Sequence, residues 1–107
     1  MKTKRNISDI EFDGARIIKA LRDGSNISIT LKNQIGVVDI EFISVSKEKS
    51  MLYKGESETL ENHHFPPLDT IETFSMENAT YQFSGYLNNE PWVVWHFKAD
   101  NYVISQK

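Results

Sequence analysis

Three histidines are the first residues to weigh for chemistry. His63 and His64 stand side by side before Phe65-Pro66-Pro67, and His96 lies alone between Trp95 and Phe97. Adjacent residues in an extended chain point to opposite sides, so His63 and His64 do not converge on one metal ion, and zinc sites draw on spaced ligands. The expectation is a solvated loop pair and no metal. His96 has no Ser, Cys or Asp at a spacing that would position it as a general base. Carboxylates recur in same-face pairs, Asp39 with Glu41 and Asp9 with Glu11. Two carboxyls that close can share acid and base roles, as in glycoside hydrolysis, but a solvated outer face of a strand has the same spacing. The expectation is that the chain is not an enzyme.

The chain has no cysteine, which removes disulfides, thiolate nucleophiles, iron–sulfur clusters and cysteine-based zinc sites. Its five glycines are isolated and none opens a phosphate-cradling turn before a helix, so no cofactor is expected. A net charge of -3 provides no basic footprint for nucleic acid. Hydrophobic content of 39% and charged content of 25% are those of an ordinary folded protein, and 107 residues suit a single domain spanning 1–107. The basic start, Met1 to Asn6, runs into Ile7-Ser8-Asp9-Ile10-Glu11 where a signal peptide would need an apolar core. No apolar run approaches the roughly 20 residues that cross a bilayer. These features predict a cytoplasmic protein without membrane contact. The Asn-x-Ser/Thr triplets at Asn6, Asn26 and Asn78 then read as turn composition.

The elements that would position these residues are strands. Ile7–Phe12 suits a short strand or one turn of helix. Over 15–22 the apolar residues admit a helix, but Asp23-Gly24 followed by Ile27, Ile29 and Leu31 alternating with Ser28, Thr30 and Lys32 reads as a hairpin of 15–22 with 26–33. Gly36–Val45 reads as a further strand whose apolar phase flips after Phe42, a sign of a bulge near its end. Residues 46–69 read as the irregular interval, with Met51-Leu52-Tyr53 a short edge strand and 55–64 a charged loop. The last third reads as strands near 70–76, 80–87, 92–98 and 102–106, separated by turn residues. Matching apolar faces of 80–87 and 92–98 require an odd loop, with Gly85 opposite Trp95. The expected fold is all-β: an antiparallel sandwich or partly open barrel of about seven to eight strands with meander connections.

Two surfaces follow as candidates for a protein partner. Tyr86, Trp92, Val94 and His96 share the face opposite Trp95, a composition enriched at interfaces if no second layer covers it. The 46–69 interval adds Glu56, Glu58, Glu61, His63 and His64. An unpaired edge at 51–53 would support a homodimer by strand addition. The rival expectation is a small-ligand pocket lined by Trp92, Trp95, Phe83 and Tyr102, and the third is an uncharacterised enzyme.

The segments Ile7-Ser8-Asp9-Ile10-Glu11-Phe12-Asp13-Gly14-Ala15-Arg16-Ile17, Asp23-Gly24-Ser25-Asn26-Ile27-Ser28-Ile29 and Val38-Asp39-Ile40-Glu41-Phe42 resemble small bacterial β domains of the polymorphic-toxin immunity-protein type. Those domains open with a His-Asp-Ala motif leading into antiparallel strands. Here Phe12-Asp13-Gly14-Ala15 takes its place, with a different first residue and an extra glycine, and the resemblance covers under half the chain. It implies a non-enzymatic protein that binds and blocks one toxin. The acidic run Glu56, Glu58 and Glu61 would then suit a basic nuclease.

Overall fold

A computed structural model describes residues 6–54, 58–88 and 91–106, with the side chains of Lys54, Glu58 and Gln106 left aside. After a 3-10 turn at Ile7–Asp9 come β1 (Arg16–Asp23), β2 (Asn26–Lys32), β3 (Val37–Ile43), β4 (Ser46–Lys54), β5 (Glu58–Glu61), β6 (Thr70–Glu77), β7 (Thr80–Tyr86), β8 (Trp92–Lys98) and β9 (Asn101–Gln106). They form one open antiparallel sheet in the order β5-β4-β8-β7-β6-β1-β2-β3-β9. The all-β expectation holds, with nine strands among the described residues. Meander connections join β1-β2-β3 and β6-β7-β8, whereas β4 lies beside β8 and β9 beside β3.

The sheet folds on itself at β1 and β6, which share one register pair, Arg16 with Thr70. Its two halves thereby face each other, and Phe42 of β3 meets Tyr81 of β7 and Phe97 of β8 at ring centroid distances of 5.1 and 4.9 Å. Phe83, Trp95 and Phe97 are fully buried beside it. The inward residues of β2 (Ile27, Ile29, Leu31) and β3 (Val38, Ile40, Phe42) are all buried, as the alternation predicted.

Three expectations change. Residues 46–54 are not an irregular interval with an edge at 51–53: β4 is an interior strand between β5 and β8, so 51–53 has no free edge for a dimer. The apolar flip after Phe42 marks the end of β3, where Ser44 takes φ of 57° and the chain crosses to the other half. The β7–β8 loop is odd, but the register lies two residues from the expected one. Phe83 faces Trp95, and Gly85 faces Val93. Gly85 is required by a different neighbour: a Cβ there would lie 1.8 Å from the Thr70 carbonyl oxygen, where β6 bulges between Ile71 and Thr73.

The hairpin β1–β2 turns through Gly24 at φ +60°, with Asp23 paired to Asn26. Positive φ at the first of two central residues is the II′ pattern that suits strand twist. The β6–β7 turn instead places both Asn78 and Ala79 at positive φ, 50° and 62°. Neither the short helical turn nor any other described helix is long and apolar enough to cross a membrane.

Candidate functional site

Registers across β5, β4, β8, β7 and β6 define the outer face of one half of the sheet, because residues directly opposite in an antiparallel pair point the same way. One row across it runs Thr59, Tyr53, Trp92, Tyr86, Thr70. The next runs Glu61, Met51, Val94, Ser84, Thr73, and the third contains Lys49, His96 and Gln82. The expected stripe of Tyr86, Trp92 and His96 is therefore one surface with Glu61.

Tyr86 and Trp92 touch edge to face at 5.2 Å between centroids, which fixes both rings at right angles to each other. Both are half-buried, and Tyr53 beside Trp92 is 38% exposed. The sequence places Tyr53 and Met51 in a short edge strand, not on this face. The signal was the alternation of Lys49, Met51 and Tyr53, which marks one face only once 46–54 is known to be an interior strand.

The remaining predicted residues lie at the end of this half. Glu58 belongs to the edge strand β5, its side chain not described, and Glu56 lies outside the described residues. His63 and His64 are exposed and, with Glu61, Phe65, Arg22 and Glu48, line a shallow hollow of about 210 Å³. Asn62 organises this corner: its backbone N–H donates to Ser50 O, its amide donates to Pro67 O, and its Oδ1 accepts the His64 N–H. His64 Nδ1 lies 2.7 Å from Pro66 O. A carbonyl only accepts, so Nδ1 carries the proton and donates. Among the described residues no group of three His, Asp or Glu side chains is placed to hold a metal ion.

Behind the hollow lies a network the sequence did not reveal. Arg22, inward-facing at the end of β1, grips Glu48 of β4 through Nη1 at 2.6 Å and Nη2 at 3.0 Å. Glu48 Oε2 also accepts the Trp95 indole N–H at 2.9 Å, and the Arg22 guanidinium lies 4.7 Å over the Phe65 ring. Burial pushes the Glu48 carboxyl up, but Arg22 and Trp95 outweigh it and hold the group below the usual carboxylate value. The network closes one end of the gap between the two halves.

The expected ligand-pocket quartet does not converge. Trp95 and Phe83 are fully buried in the core, Trp92 points to the opposite face of β8, and Tyr102 sits on β9 with its hydroxyl accepting the Ile7 N–H at 3.1 Å. The carboxylate pair Asp39 and Glu41 lies on the outer face of the other half of the sheet. There Asp39 accepts the Thr30 hydroxyl at 2.6 Å, and both line an open trough of about 520 Å³ with Ile18, Leu21 and Val103. The histidines belong to β8 and to the chain after β5, so that pair is not joined to an imidazole. The chain matches no protein-family model, no curated protein and no solved structure.

Proposed function

We propose that this domain is a non-enzymatic, cytoplasmic protein-interaction module whose working surface is the outer face of β5-β4-β8-β7. The observation that carries this reading is the row Tyr53, Trp92, Tyr86, in which aromatic rings stand half-exposed on an open sheet face. Tyr and Trp supply large contact area from few rotatable bonds and dominate the binding energy of many interfaces. Polar groups surround the row: Thr59 and Thr70 at its ends, and Glu61, Lys49, His96 and Gln82 beyond. That is the layout of an apolar anchor with a hydrogen-bonding rim.

The partner favoured by charge is a basic protein. The chain carries a net charge of -3, β5 at the border of this face holds Glu58 and Glu61, and Glu56 stands just before it in the sequence. Complementary charge of this kind accelerates encounter. An inhibitor that blocks a basic toxin, in the manner of immunity proteins, is the specific form suggested by the resemblance of the first three β strands.

A pull-down from native lysate, comparing the wild type with a Tyr86→Ala/Trp92→Ala variant of unchanged circular dichroism, tests the reading. The expected result is one stoichiometric protein partner that the variant loses. Equal capture by both proteins, or a co-purifying small molecule in place of a protein, overturns it.

A further inference from the structure

Among the described residues the sheet has two unpaired edges, and they are built differently. Edge β5 is four residues long with glutamate at each end, Glu58 and Glu61, the short charged form that discourages pairing. Edge β9 has none of these protections. Its six residues, Asn101–Gln106, include no charge and no proline, and it keeps unbroken register with β3 from Ile43↔Asn101 to Val38↔Gln106.

The hydrogen bonding shows which backbone groups this edge offers. Asn101 Oδ1 accepts the Tyr102 N–H at 2.8 Å, so that amide points away from β3. Residues along an antiparallel strand bond alternately to either side. Ile104 and Gln106 therefore direct their N–H and C=O groups to the open edge as well. On the adjoining outer face Val103 is 49% exposed, and it lines the trough with Ile18 and Leu21, each 55% exposed.

We propose that β9 is a self-association edge, at which two copies of this chain pair antiparallel about a twofold axis passing by Ile104. In this arrangement Ile104 faces its own counterpart, Tyr102 faces Gln106 and Val103 faces Ser105 across the axis. A second copy is the occupant that fits, because an uncharged strand meets itself without like-charge conflict. The pairing joins β1-β2-β3-β9 of both copies into one continuous sheet and sets their outer-face troughs on the same side of it. A strand of this length spans about 20 Å, and its interface falls towards or below the roughly 1,200 Å² that begins the range of stable complexes. The dimer is accordingly reversible.

Light scattering over about 1 µM to 1 mM protein reads this directly, a span that covers weak association. The expected mass rises from 12.4 kDa towards twice that value. Val103→Lys/Ser105→Lys changes two exposed side chains on the outer face, leaves the circular dichroism unchanged and stays at one chain throughout. Mixing it with Val103→Glu/Ser105→Glu restores a two-chain species, because lysine then faces glutamate on both sides of the axis. A wild type that stays at one chain, alone or paired only with a different protein, overturns the proposal. So does a lysine variant that dimerises like the wild type. The Tyr86→Ala/Trp92→Ala variant still dimerises, which keeps this test independent of the partner-binding face.

Discussion

Replacing Glu48 with alanine removes the acceptor at the centre of the rim network. Trp95 is fully buried, so its indole N–H, now bonded to Glu48 Oε2 at 2.9 Å, loses its partner where water has little access. Leaving a buried donor unsatisfied costs about 1–3 kcal/mol. The ion pair itself adds less, because the Arg22 side chain is 46% exposed and pairs of that kind contribute about 0–1 kcal/mol. Together these give a loss of about 1–4 kcal/mol in urea unfolding at neutral pH. Glu48→Gln keeps an oxygen for the indole and gives up the charge, so it loses about 1 kcal/mol. The two variants also differ in acid. Burial pushes the Glu48 carboxyl up, but Arg22 and Trp95 hold it below its ordinary value of 4.5, so the native state favours the ionised form. That contribution is complete above the ordinary value and disappears as pH falls through the depressed one. The stability gap between wild type and Glu48→Gln is therefore flat above the ordinary value and closes below it. A Glu48→Ala protein within 0.5 kcal/mol of wild type, or a glutamine variant as unstable as the alanine one, refutes the reasoning.

Gly85→Ala drives a methyl group into the Thr70 carbonyl and loses about 3 kcal/mol, read as a lower denaturant midpoint; an unchanged midpoint contradicts the close approach. Phe42→Ala opens a cavity between the two halves of the sheet and loses about 3–5 kcal/mol by the same measurement, whereas a loss under 1 kcal/mol contradicts a shared core. Acrylamide quenches Trp92 and spares Trp95, so Trp92→Phe removes the accessible fraction of the emission; equal quenching of the variant and the wild type places the exposed indole wrongly.

Strands in unbroken alternation were legible from sequence. The buried residues of β2 and β3 follow the period of two along their whole length, and Gly24 and Asn78 at the turns are residue types that accept positive φ, whereas Ala79 at 62° is not. Where a bulge intervenes, the pattern misleads. β1 shifts register between Ile17 and Lys19, so its inward positions run Ile17, Ala20 and Arg22, a spacing that also admits a helix. β4 reads as an irregular interval in sequence because its residues are mostly polar and its one apolar stretch, 51–53, is short. Its place is set by pairing with β8, which lies some 40 positions further along the chain. The aromatic face was half legible: Tyr86, Trp92 and His96 follow from the phase of β7 and β8, but Tyr53 and Glu61 join them only through long-range pairing. Contacts at sequence separations of 26 and 47, Arg22 with Glu48 and Glu48 with Trp95, leave no local pattern at all.

The central claim is that the Tyr53–Trp92–Tyr86 face binds a protein. Its most direct test is the dissociation constant of the captured partner for wild type, Tyr86→Ala/Trp92→Ala and a control on the other outer face, Leu21→Ser/Val103→Ser. At about 2 kcal/mol for a single hot-spot side chain, losing even one of the two rings weakens binding roughly 30-fold. The account predicts at least that loss for the aromatic variant, wild-type affinity for the control, and weaker binding as salt rises. Wild-type affinity in the aromatic variant, or a loss confined to the control, contradicts it.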